Sequence, residues 1–413
     1  MRRTRIGAAT VALVAVVVLV SVACTNPVGS SGGNSGSSGS SGGDPGAEPG
    51  ARMVADIRSG SDGSGPANLT AYESGLYFSA DDGTYGNELW RYDGTNVTRV
   101  TDLRSGAESS NPGFLKVYGP YLYFKADYDG GGTTGLFRYS GGAAVRITSI
   151  DFPGFLAVAG GKLYLRAHSA GHGVELWSYD GTSAERLTNI NPGAGHSYPS
   201  FITEYAGNLL FNADDGTSGA ELWSYDGSAA SQVADINPGG NSGPSRLIVY
   251  DGALYFRAND GDSGFELWRY DGSTVEQVAD LNPGSGDGIQ NADMAVYDGK
   301  LYFGGNDGSS GWELYQYDGS SVTRVADLNP GSGHGVSNPA SLAVYNGALY
   351  FSGNDGTTGV ELYRYDGTAV ELAAEINPAG NSNPSNFAVW DGKLYFQADD
   401  GVHGPELWEY LSQ

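Results

Sequence analysis

The stretch LIVYDGALYFRANDGDSGFELWRYDGSTVEQVADLNPGSG, from Leu247 to Gly286, decides the fold. Its four apolar runs, LIVY, ALYFRA, ELWRY and VEQVADL, are rich in Val, Tyr, Phe and Trp, side chains suited to a pleated, half-buried surface. Asp-Gly and Asn-Pro-Gly punctuation separates them, so the unit reads as four short antiparallel strands. Outward from this unit, Glu-Leu-Trp or a near relative recurs with its Leu at Leu89, Leu136, Leu176, Leu222, Leu267, Leu314, Leu362 and Leu407. The intervals are 47, 40, 46, 45, 47, 48 and 45 residues. Four strands at such a period make a propeller blade.

The phase of the repeat bears on how the array ends. It opens at Met53-Val54-Ala55-Asp56-Ile57, which matches the fourth strand of a unit (Val233-Ala234-Asp235-Ile236), and it closes at Glu406-Leu407-Trp408-Glu409-Tyr410, a third strand. Pairing Val54–Ile57 with Glu406–Tyr410 completes the last unit and leaves no frayed edge. An open solenoid would need polar capping repeats, and none is visible. The expectation is an all-β, eight-bladed β-propeller of four-stranded antiparallel blades over 53–413, monomeric, with its ring closed by the N-terminal strand.

Ahead of the repeats, Ile6 to Ala23 is an apolar run behind Arg2, Arg3 and Arg5, and it ends in small residues at Ser21-Val22-Ala23. A basic start, an apolar middle and small residues before a cleavage point read as an export signal over 1–23. Cys24 is the lone cysteine, so no intrachain disulfide can form. The segment resembles a bacterial lipoprotein signal, in which that cysteine becomes the lipidated N-terminus and the sole membrane attachment. Ser21 stands where an apolar residue is usual, and plain secretion or an uncleaved anchor are the other readings. Residues 24–52 are rich in Ser, Gly and Pro and read as a flexible tether. From Thr25 onward its reach is about 30 Å as a Gly-rich coil, enough to hold a domain clear of a membrane.

The formal charge is −25 at pH 7, which repels nucleic acid and anionic lipid. Many of the aspartates fall in Asp-Gly turns, where backbone geometry favours them. An acidic surface is also what a salty habitat selects for solubility.

In an up-and-down blade, the loops after strands two and four share one face. Here these are the acidic loops and the Asn-Pro-Gly loops, whereas the other face carries tight turns such as Asp251-Gly252 and Asp271-Gly272. Ligands are expected on the long-loop face. The acidic loops offer Asp81, Asp82, Asp214, Asp215, Asp260, Asp307, Asp355, Asp399 and Asp400, hard oxygen donors beside a turn Gly, with Glu88 ending the first of them. Calcium is the one cofactor they admit; the alternative is that Asp and Gly build the turn while Glu pairs with Arg or caps backbone amides on the next strand. The Trp column (Trp90, Trp177, Trp223, Trp268, Trp408, with Tyr315 and Tyr363) could stack on sugar but recurs at one strand position, which predicts packing between blades.

Departures from the repeat point to a site more directly than the repeat does. The third copy carries His168-Ser169-Ala170-Gly171-His172 in place of the acidic loop, and its approach at Asp151-Phe152-Pro153-Gly154 is short. The second copy reads Gly135-Leu136-Phe137, losing both Glu and Trp. His196 in the next loop would complete a cluster of His168, His172 and His196 on the same face, as a ligand or metal site or as repeat decay. No nucleophile elbow, phosphate loop or spaced Cys/His zinc pattern occurs, and no catalytic set is assigned.

The string Glu88-Leu89-Trp90-Arg91-Tyr92-Asp93-Gly94-Thr95, repeated at Glu175-Leu176-Trp177-Ser178-Tyr179-Asp180-Gly181-Thr182, resembles the bacterial ELWxxDGT-repeat proteins over Met53 to Tyr410. That resemblance implies an exported surface propeller and no settled activity. The reading is a non-enzymatic binding scaffold for a protein or carbohydrate at the cell surface. The alternative is a hydrolase or lyase acting on polysaccharide at the irregular face of copies two to four.

Overall fold

A computed structural model of the chain describes residues 50–337 and 341–412. Among them every regular element is a β-strand. The export signal, Cys24 and most of the tether lie outside the described residues.

The fifth copy shows how the sequence pattern becomes a sheet. Strands Ser245–Tyr250, Ala253–Asn259, Phe265–Tyr270 and Val275–Ala279 pair in order and antiparallel. In the second of these, Leu254, Tyr255 and Phe256 are all buried, because neighbouring sheets cover both faces. Six such four-stranded sheets occur, and a seven-stranded one spans copies two and three. The architecture is that of a propeller, with the expected aromatic column between sheets. Trp177 packs with copy two, Trp223 and Trp268 with the copies beside them, and Tyr315 and Tyr363 likewise.

Two polar contacts recur between or within units. The Glu of each Glu-Leu motif is fully buried and accepts hydrogen bonds from amides of the connection that follows the next strand, rather than from Arg or from that strand itself. Glu361 takes the amides of Ile376, Asn377 and Ser382 and the Ser382 hydroxyl. The tyrosine ending the first strand reaches the next unit: Tyr205 Oη donates to Gly252 O at 2.9 Å and Tyr250 Oη to Gly299 O at 2.8 Å.

The two ends of the repeat region meet in one sheet, but in a register other than the sequence suggested. The N-terminal strand is Gly50–Ala55, not Val54–Ile57, and it pairs Gly50 with Leu411, Ala51 with Tyr410 and Met53 with Trp408. It therefore takes in the last residues assigned to the tether. Arg52 pairs with Glu409, which Lys393 also contacts at 2.9 Å. Ile57, Arg58 and Ser64 then supply Glu406 with the amides its own connection would otherwise provide. Leu76, Phe78 and Trp90 of the first copy share a core with Tyr395 and Leu407 of the last.

The irregular copies are joined differently. One 15-residue strand, Val145–Ala159, is both the last strand of copy two and the first of copy three. The shortened connection seen in the sequence is this strand. Gly135 leaves room that Arg146 fills, since a Cβ there would lie 2.8 Å from its Nε, and Arg146 pairs with Asp151 at 2.6 Å.

Candidate functional site

The acidic loops are built on their own carboxylates. Asp82 Oδ1 accepts from the amides of Thr84 and Tyr85, and Asp81 Oδ1 from that of Gly83. Asp214 and Asp399 repeat the role of Asp81. Asp215, Asp260, Asp307, Asp355 and Asp400 repeat that of Asp82. Such side-chain-capped turns are what Asp is selected for in loops. Hydrogen bonds from Ser310 hold the Asp307 carboxyl well below the usual range, against the opposing effect of burial. Among the described residues, no three His, Cys, Asp or Glu side chains gather as a metal group.

The three histidines separate. His168 and His196 come together with ring centroids 6.2 Å apart, whereas His172 sits in the turn after His168 and does not line their cavity. His196 also has a structural duty: its Nδ1 accepts the Val174 amide at 2.9 Å. The same position in other copies does the same job with Asn241, Asp287, His334 and Asn381. An accepting Nδ1 places the proton of a neutral ring on Nε2.

Around His168 and His196 lies a cavity of ≈ 420 Å³ lined also by Phe152, Arg166, Val174 and Tyr198. It opens on the long-loop face between copies three and four. Phe152 stands edge-on to His168 at 5.9 Å, and Tyr198 stacks on His196 at 5.1 Å. Phe152 and Tyr198 are 44% and 53% exposed, so two large rings face solvent at the rim. Both have left-handed backbone, φ 51° and 45°. Elsewhere this slot, just before the proline that opens a unit, holds Gly65, Asn111, Gly243 or Asn383, residues that tolerate such a φ. A bulky ring there is held against its own preference, a pattern that concentrates at functional sites.

Next to this cavity, the first strands of neighbouring copies lie side by side. In most of them a bulge turns one residue left-handed: Asn68, Phe114, Phe155, Phe201, Arg246 and Asn386. Phe114, Phe155 and Phe201 form a continuous aromatic arc, each ring centroid 5.1 Å from the next. Asn68, Asp293, Ser341 and Asn386 make a polar one. Arg166 links arc and cavity: its guanidinium lies 4.9 Å from the Phe155 ring centre and also lines the cavity. Burial holds it below the usual arginine range. The aromatic arc, Tyr198 and Arg166 escaped the motif-centred reading of the sequence, which met Phe152 only as part of a shortened connection. Aligning the copies on their prolines exposes the arc as Phe in three consecutive copies at a column that is otherwise polar.

The arrangement offers flat apolar faces, two imidazoles and one guanidinium, groups suited to binding and orienting a ring-shaped ligand. No protein-family model and no curated protein matches the sequence. Among solved structures the chain is similar to a puromycin hydrolase (S511A mutant complexed with PGG), with TM-score 0.51 and 14% identity over 82% of this chain and 58% of that one. A puromycin-hydrolyzing peptidase of Mycobacterium tuberculosis gives TM-score 0.48 and 14% identity, over 84% and 59%. The chain thus spans under two thirds of the length of these peptidases, and at this identity the likeness to the first is one of fold, a propeller.

Proposed function

We propose that this chain is an exported, eight-bladed, closed propeller of the ELWxxDGT-repeat kind, tethered through lipidated Cys24, that acts as a non-enzymatic binding scaffold at the cell surface. Its ligand enters the cavity between copies three and four. The pairing of Gly50–Ala55 with the last strand, and the core shared by the first and last copies, support closure. The observation that carries the binding reading is the pair of solvent-facing rings, Phe152 and Tyr198, kept in left-handed backbone on either side of one cavity. Exposed aromatics on a rigid frame supply contact area at low entropic cost.

A glycan and cell-wall array probed with the wild-type chain and with Phe152→Ala/Tyr198→Ala tests this reading. Retention of a ligand by wild type and its loss in the double variant is the expected result. Product release from a retained glycan would overturn the non-enzymatic reading, and an array silent for both proteins would overturn the binding reading.

A further inference from the structure

The fifth copy contains a filled version of the cavity found in the third. Arg257 occupies the position of Arg166, each opposite the Leu of its Glu-Leu motif. Arg257 is paired: Nη2 donates to Asp287 Oδ2 at 3.0 Å, Nε to Ile289 O at 2.9 Å, and its Cζ lies 3.4 Å from the Phe265 ring centre. Asp287 uses its other oxygen to accept the Phe265 amide.

In the third copy the same three places hold Arg166, His196 and Val174. His196 keeps the backbone half of the Asp287 role by accepting the Val174 amide, but brings no carboxylate. Val174 is smaller than Phe265, and the space it vacates is part of the cavity. The neighbouring acids are already engaged, Asp151 with Arg146 and Glu175 with Thr188, Ile190 and Asn191. Among the described residues no carboxylate stands within ion-pair distance of Arg166. A half-buried cation without its acid, beside an opening that a homologous acid and ring fill elsewhere in the same chain, is a receptor for both missing groups.

We propose that Arg166 binds the carboxylate of a small ring-bodied acid, seated where Asp287 stands in the fifth copy, with the ligand's ring held between Phe152 and Tyr198. This deepens the binding-scaffold reading and rests on it. A hexuronic acid and an aromatic acid share this chemistry: the first would present its C–H face to the aromatic rings, the second its π-face.

Calorimetric titration of the full chain with glucuronate, glucose, benzoate and benzyl alcohol tests it. At least one acid should bind, at least tenfold tighter than its neutral counterpart. Glucuronate alone identifies a sugar acid and benzoate alone an aromatic acid. Arg166→Gln should weaken binding at least tenfold. His196→Asp should do the same by restoring the internal ion pair; because Asp can still accept the Val174 amide, this variant keeps the test decisive if Arg166→Gln fails to fold. His334→Asp, in a copy with Gly304 at the arginine position, should bind as wild type. Glucose bound as tightly as glucuronate, or acid binding unchanged in both Arg166→Gln and His196→Asp, overturns the carboxylate site and leaves the scaffold reading standing. Silence toward both acids from a chain that still retains a glycan on the array has the same meaning.

Discussion

At the residue scale, the buried glutamates and the strained aromatics make opposite predictions. Glu361 satisfies three amides and a hydroxyl, so Glu361→Ala strands several buried donors and should destabilise by on the order of 3 kcal/mol, read as a lowered denaturation midpoint. Glu361→Gln keeps one acceptor oxygen and should cost less. Phe152→Asn places the residue found at Asn111 and Asn383 into a left-handed slot, and should hold or raise stability by about 1 kcal/mol while weakening ligand binding. Loss of both stability and binding would show that the ring is a packing group. The acidic loops have their Oδ1 atoms bonded to their own backbone, so a chelator should leave the melting curve in place. A downward shift on chelation would assign their outer oxygens to a cation, since a ligand of the folded state must stabilise it.

At the element scale, the terminal strand is the sharpest test of how the ends are joined. Removing Ala51 to Ile57 takes away the partner of the last strand, the Arg52 contact to Glu409 and the Ile57 amide that serves Glu406. The truncated protein should melt earlier and associate through the exposed edge, seen by light scattering. A monomer with an unchanged melt would mean that the strand is decoration. The phase of the repeat made this pairing legible, because Met53-Val54-Ala55 echoes a fourth strand. It missed Gly50, Ala51 and Arg52, since Gly followed by a small residue and a lone Arg looks like linker; only the register across from Leu411 and Tyr410 makes them strand. The merging of copies two and three was legible as a shortened interval, but its form was not. Asp151-Phe152-Pro153 carries a proline that argues against a continuous strand, and it is accommodated where the pairing partner changes. The histidines were found as deviations from the repeat. Arg166 was not, because Arg257 makes an arginine there look regular, and only contacts distinguish a paired guanidinium from an unpaired one.

At the scale of the whole molecule, acidity shapes stability. Burial pushes Glu266 and Glu313 up to about 7, and it also raises Glu221, Glu361 and Glu406. Between 4.5 and that value the folded chain holds more protons than the unfolded one, so stability falls as pH rises through this window. The net charge of −25 acts in the same direction, because self-repulsion eases on acidification. Below the window the turn aspartates take over. Asp93, Asp226 and Asp318 have carboxyls lowered by backbone amides of their own turns, and their contribution is lost as they protonate. The melting temperature should therefore peak at about pH 5 and fall on both sides; a plateau maximal near pH 8 would contradict this balance. In the cell, a fatty-acid probe should label the chain and Cys24→Ala should remove the label; labelling of the variant would exclude that anchor.

The strand Val145–Ala159 has a consequence for motion. Other units are joined by connections outside the strands, but here a single hydrogen-bonded strand serves two units within one seven-stranded sheet. Amide exchange from Leu136 to Trp177 should therefore report one cooperative opening, with matched protection on both sides of Asp151. Phe152 lies within that segment, so a ligand gripping its ring should slow exchange throughout it, reaching amides of copy two that the ligand never touches.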